Sequence, residues 1–243
     1  LNSGEFSHIE DRDRVPDMAQ DQWTAVDQYL AGLLIAADPA LDGALADSAA
    51  HGLPAINVSP PQGKFLHLLA RIHGARDILE VGTLGGYSAI WLGRALPPGG
   101  RLITLESDPK HAAIARANLD RAGLTGVVEI RLGPALETLP KLAAEGRGPF
   151  DLIFIDADKP STTDYFACAL KLSRPGTVIV VDNVVRNGGV IEPGHSDANA
   201  LGARRFLETL AAEKRVPATA IQTVGGKGYD GFAVAVVTAN PPR

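Results

Sequence analysis

Between Arg76 and Val181 the chain alternates five times between short runs rich in branched apolar residues and segments with helical spacing. The apolar runs are Asp77–Val81, Arg101–Leu105, Val127–Leu132, Leu152–Ile155 and Thr177–Val181. They read as strands, and Leu152–Ile155, a short apolar run of branched and aromatic side chains, as one buried on both faces. The intervening patterns predict helices over 87–96, 109–122, 134–144 and 163–173, with a turn at Pro175-Gly176. Such an alternation specifies an α/β fold, a doubly wound and mostly parallel sheet with helices on both faces.

The two ends depart from this rhythm. After a helix predicted over 198–212, the segments 218–224 and 228–237 read as strands joined by a tight Gly225-Gly226-Lys227 turn. A parallel link needs a crossover, so strands this close must pair antiparallel, as a hairpin at the edge of the sheet. Before the alternation, Trp23, Val26, Leu30 and Leu33 mark a helix over 21–37 that Pro39 ends. A short helix follows over 42–51, and Ser59 with Pro60-Pro61 signals another helix start. Residues 1–17 carry no periodicity and read as a tag remnant or disordered arm; residues 18–243 read as one domain with an N-terminal helical cover.

Composition narrows the function. The net charge of −5 gives no electrostatic footprint for nucleic acid or an anionic membrane. One cysteine, Cys168, rules out an intrachain disulfide and a cysteine-rich metal site, and suits a cytoplasmic setting. No apolar run is long enough to read as a membrane span. The histidines share no metal-ligand spacing, and no G-x-S-x-G elbow supports serine-hydrolase chemistry.

The chemistry gathers where the strands end. In open α/β sheets ligands bind beyond the carboxyl ends of the strands. There the chain places Gly82-Thr-Leu-Gly-Gly86 after the first strand, Glu106 after the second, and Asp156, Asp158 and Lys159 after the fourth. Asp182-Asn183 follow the fifth. A glycine turn lets the backbone approach a ligand, and an acid at the second strand end accepts hydrogen bonds from ribose hydroxyls. Each has a plainer role as well: Asp in such a turn caps a helix, and Glu106 suits a helix N-terminus. Together they predict an adenosine-type ligand, while the absent G-x-G-x-x-G argues against a dinucleotide.

Six segments carry a resemblance: Glu80–Ser88, Glu106–Pro109, Gly133–Leu136, Phe154–Lys159, Val181–Asn183 and Gly228–Phe232. In this order they resemble the cation-dependent O-methyltransferases, the family of the catechol and caffeoyl-CoA enzymes and their bacterial relatives. The resemblance implies a Rossmann-like methyltransferase fold, S-adenosylmethionine as methyl donor and a phenolic small-molecule substrate with vicinal hydroxyls. It implies cofactor contacts at Val58, Glu80, Gly82, Gly86, Ser88, Glu106, Ala135, Asp156 and Asp158. It makes Asp156, Asp182 and Asn183 ligands of a divalent cation, and Lys159 with Asp156 the catalytic pair. Two carboxylates and an amide oxygen are hard donors that suit Mg²⁺, Ca²⁺ or Mn²⁺. A phenol has a pKa near 10, so cation and base together would make it reactive. The family is often dimeric, and the apolar first helix supplies a surface for a homodimer. Tyr165 and Phe166 read as core. No aromatic residue follows Asn183, where many relatives carry one against the substrate ring. The other readings are an NAD(P)-dependent oxidoreductase and a protein that binds S-adenosylmethionine without turnover.

Overall fold

The computed structural model describes residues 17–239. Three helices come first: α1 (Asp17–Leu34), α2 (Pro39–Ala50) and α3 (Pro60–His73). The alternation follows as β1 (Asp77–Val81), α4 (Tyr87–Gly93), β2 (Arg101–Glu106), α5 (Pro109–Arg121), β3 (Val128–Leu132), α6 (Ala135–Ala144), β4 (Phe150–Ile155), α7 (Thr162–Lys171) and β5 (Ser173–Asp182). The chain closes with α8 (Ala198–Ala212), β6 (Ala218–Gly225) and β7 (Gly228–Val236).

The sheet order is β3-β2-β1-β4-β5-β7-β6. The first five strands are parallel, and β7 runs antiparallel to both β5 and β6, as the short connection requires. The chain winds outward from β1 to β3 and then returns to β4 on the other side of β1. That reversal opens a crevice above β1 and β4.

Successive residues of each strand point to opposite faces, which splits the core in two. On one side Leu79, Ile103 and Ile153 pack with Leu142 of α6, Phe166 of α7 and Phe206 of α8. On the other, Ile78, Leu102 and Phe154 pack with Leu66 of α3 and Ile90 of α4. Each fully buried side chain of this size contributes about 1.5–3 kcal/mol.

Local chemistry sets the helix starts. Ser59 accepts a hydrogen bond from the Gln62 amide ahead of α3, and Asp108 does the same for Lys110 and His111 ahead of α5. Pro39 is a correction. It stands at the first turn of α2, with Asp38 as N-cap, so α2 begins three residues earlier than the periodicity predicts. A second correction concerns Pro175-Gly176. They lie within β5, where pairing with β4 shifts register between Phe150 and Leu152. The predicted turn is a strand irregularity, which tolerates a proline without an amide to donate. Asp17, assigned by sequence to the N-terminal arm, begins α1; residues 1–16 of that arm lie outside the described residues.

Candidate active site

The carboxyl ends of β1, β2, β4 and β5 open into one cavity of about 1310 Å³. One wall of it is the turn after β1. Gly82 has φ +98, and an added Cβ would stand 2.8 Å from the Asp156 carbonyl carbon, so only glycine fits between the two strand ends. The turn is held by Glu106. One carboxylate oxygen accepts from the amides of Thr83 (3.3 Å) and Leu84 (2.8 Å). The other accepts from Ser107 and Asp108, both at 2.9 Å. Glu106 therefore ties the glycine turn to the end of β2 while still lining the cavity.

Glu80 lies beneath this wall rather than on it, fully buried. One of its oxygens accepts from Thr104 Oγ1 at 2.6 Å, and the other, Oε1, has no partner. Burial pushes its pKa up to about 7; the Ser88 and Thr104 hydroxyls oppose the shift, and the charges of Asp156 and Glu106 add to it. Gly86 is also set back, at the N-terminus of α4 with its α-carbon facing Ala115. Val58, Gly82, Ser88, Glu106, Ala135, Asp156 and Asp158 all line the cavity.

The acidic end is built by β4 and β5. Ile155 pairs with Val181 in parallel register, so Asp156 and Asp182 emerge side by side at roughly 5 Å strand spacing. Lys159, in a short 3-10 turn, donates from Nζ to Asp156 Oδ1 at 2.8 Å and is only 7% exposed. Asp182 is 5% exposed and accepts from the Asn183 amide at 2.8 Å. Burial holds its carboxyl well above the usual range, the neighbouring Asp156 charge pushes the same way, and Lys159 opposes both. Asn183 has φ +57, a left-handed conformation that asparagine tolerates better than most residues.

Among the described residues no three His, Cys, Asp or Glu side chains cluster closely enough to hold a metal. The set here is two carboxylates and an amide. It still fits a hard divalent cation. Asp182 is a buried acid whose charge is disfavoured by its surroundings, and one lysine offsets only one of the two carboxylates.

Several members of the site escaped the sequence reading. Tyr165, read as core, is buried but also lines the cavity, where its hydroxyl donates to Asp158. Asp158 also accepts from the Ser161 amide at 3.2 Å, so it caps the Lys159 turn. Asp230 of β7 accepts from the amides of Val185, Arg186 and Gly231, which pins the loop after Asn183. No aromatic residue follows Asn183, and the cavity receives aromatic rings from other elements. Phe65 of α3 and Phe232 of β7 line the cavity with ring centroids 5.0 Å apart. Phe232 pairs with Asp182, so an apolar wall stands beside the acids.

A doubly wound sheet with a glycine turn, an acid at the end of β2 and an antiparallel edge hairpin is the architecture of a methyltransferase. The family model described as O-methyltransferase matches residues 37–231. The chain is 58% identical over 213 residues to the catechol O-methyltransferase of Niastella koreensis, covering 88% of this chain and 96% of that one. It is 55% identical to the catechol O-methyltransferase of Mycobacterium tuberculosis, covering 87% and 94%. Among solved structures, the O-methyltransferase from Bacillus cereus in complex with SAH superposes with a TM-score of 0.89 at 58% identity, over 90% of this chain and all of the other. TomG from Streptomyces achromogenes, involved in tomaymycin synthesis and solved with SAM, gives 0.88 at 54% identity, over 90% and 99%. The chain belongs to the O-methyltransferase family and is an O-methyltransferase. The oxidoreductase reading is thereby set aside. No helix among the described residues is long and apolar enough to cross a membrane.

Proposed function

We propose that this enzyme transfers the methyl group of S-adenosylmethionine to one oxygen of a vicinal dihydroxy aromatic, with a divalent cation (Mg²⁺, or Mn²⁺ or Ca²⁺) held by Asp156, Asp182 and Asn183. The observation that carries the reading is the juxtaposition of Asp156, Asp182 and Lys159 at adjacent strand ends, in the same cavity as the glycine turn. Donor-bound relatives of the same fold support the choice of methyl donor.

The cation would draw both hydroxyl oxygens into one orientation and stabilise the phenolate form. Lys159 Nζ, beside Asp156, is the base placed to receive the hydroxyl proton. The freed oxygen attacks the methyl carbon as the carbon–sulfur bond breaks, and the electron pair stays on sulfur. Gly82, Ser88, Glu106, Ala135, Phe65 and Phe232 all line the cavity; in this reading the first four face the donor and the two rings the acceptor. Reacting atoms held in line supply much of the rate enhancement. Asp158 caps the turn that carries Lys159 and so holds the base in place.

The enzyme works as a homodimer in this reading. Tyr29, Leu33 and Leu34 of α1 are 67%, 64% and 70% exposed, an apolar surface suited to a partner. A monomer mass by light scattering at micromolar concentration would refute that element.

The main test is methyl transfer from S-adenosylmethionine to catechol, followed by mass spectrometry with Mg²⁺ and with EDTA. A monomethyl ether should form with Mg²⁺ and be lost with EDTA. Undiminished turnover in EDTA sinks the cation; no ether under either condition sinks the substrate class.

A further inference from the structure

The chain leaves β4 at Asp156, passes through the 3-10 turn Lys159–Ser161 and enters α7 at Thr162. Asp156, Asp158, Lys159 and Ser161 of this segment line the cavity. Lys159 reaches Asp156 Oδ1 at 2.8 Å on a flexible four-carbon stem. Where its Nζ comes to rest therefore depends on where the turn sits.

Asp158 fastens that turn with three bonds of two kinds. Oδ2 accepts from the Ser161 amide at 3.2 Å, and the Asp158 carbonyl accepts from Thr162 Oγ1 at 3.5 Å. Both are local, so they would travel with the turn if it shifted. The third bond reaches into the core: Oδ1 accepts from the hydroxyl of Tyr165, seven residues along the chain. Tyr165 stands in the first turn of α7, is 6% exposed and belongs to the buried layer of Ile155, Phe166 and Val181. Burial and the Asp158 carboxylate hold its pKa above the ordinary phenol value, so the hydroxyl keeps its proton and donates it to this bond.

We propose that Tyr165 is a positioning residue for methyl transfer: its hydroxyl, anchored in the core, holds Asp158 and through it the turn that sets Lys159 Nζ beside Asp156. The inference rests on the reaction proposed above, in which Lys159 receives the proton of the acceptor hydroxyl. Without the Tyr165 hydroxyl the turn keeps its local bonds and loses its tie to the buried face of α7. The base is then less well aligned with the acceptor, while the glycine turn that faces the donor is untouched. An acceptor that arrives already ionised needs no base, so its turnover should not register the change.

The test is Tyr165→Phe, which keeps the ring in the core and removes only the hydroxyl. Kinetics with S-adenosylmethionine and Mg²⁺ at about pH 8 compare catechol with 4-nitrocatechol, whose nitro group leaves one hydroxyl ionised. A misplaced base should lower kcat for catechol about tenfold and kcat for 4-nitrocatechol by less than about twofold. KM for S-adenosylmethionine should stay within about twofold, because the donor meets the same wall. Asp158→Asn should give the same split, and the double variant should be no worse than either single change, since both act on one turn. Equal losses with both acceptors, an unchanged kcat for catechol, or a change confined to KM for S-adenosylmethionine overturns the role. If Tyr165→Phe does not fold, Asp158→Asn makes the same comparison without touching the core. A wild type that forms no ether from either acceptor sinks the underlying reaction; ether from the wild type with no split in the variants sinks Tyr165 alone.

Discussion

Gly202 of α8 stands directly over Lys159: an added Cβ would lie 2.5 Å from the Lys159 carbonyl carbon and 2.8 Å from the Pro160 nitrogen. Arg205, one turn further along α8, donates to the Pro160 carbonyl at 3.2 Å. The helix thus presses on the turn that carries the proposed base. Gly202→Ala improves helix propensity by about 1 kcal/mol, so any loss it causes must come from displacing that turn. We expect kcat to fall at least about tenfold with SAH affinity nearly unchanged, since small misplacements of reacting groups are costly. Steady-state kinetics with calorimetric SAH binding checks it; an unchanged kcat refutes the positioning role.

Asp156→Ala and Asp182→Ala should each reduce catechol methylation by about a hundredfold or more. SAH affinity should stay within a few-fold for Asp182→Ala, which lies on the acceptor side. Asp182→Asn should also raise the thermal midpoint in EDTA, because it removes a buried charge that Asp156 repels. A lowered midpoint in EDTA would show that the charge is better matched in the folded protein than the geometry indicates.

Glu80 predicts a pH dependence of stability. Its folded-state pKa, raised by burial to about 7, lies above the ordinary value of 4.5. Between those values the folded protein keeps a proton that the unfolded chain has released. The contribution is fully present below about pH 4.5 and is lost as pH rises through about 7, by at most about 3 kcal/mol. Urea midpoints at pH 5 and pH 8 should show the wild type losing stability across this window. Glu80→Gln should flatten that part of the profile, and an equal slope in the variant would contradict it.

Asn118 is fully buried, and its amide donates to the Gly85 carbonyl at 2.9 Å, bracing the glycine turn from α5. Asn118→Ala leaves that carbonyl unmatched and should cost about 1–3 kcal/mol in chemical denaturation. The glycine turn, proposed to face the methyl donor, should loosen too, so SAH affinity is expected to weaken several-fold. Unaltered affinity together with reduced stability would confine Asn118 to folding.

Most of the elements were legible because strand and helix leave different periods in the sequence. β1 and α8 match the segments predicted for them residue for residue, and the edge hairpin follows from connection length alone. Misreadings arose where one residue type serves two ends. Pro39 opens α2 as readily as it closes α1, and Pro175-Gly176 suits a strand irregularity as well as a turn. In the site, the acids were visible because charges at the ends of apolar runs stand out. Their supports were not. Glu106 as a clamp, Asp230 as the pin of the next loop and Gly202 over Lys159 depend on contacts between segments far apart in the chain.

The sequence by itself determined the doubly wound sheet and the gathering of glycines and charged residues at its strand ends, Asp156, Lys159, Asp182 and Asn183 among them. Periodicity and strand-end charge are properties of neighbouring residues, so they survive without a fold. Only the tertiary structure decided which groups share the cavity. It put Glu80 and Gly86 behind the wall and brought Phe65 and Phe232 together beside the acids. Those outcomes depend on sheet register and helix packing, which bring together side chains that no local pattern connects.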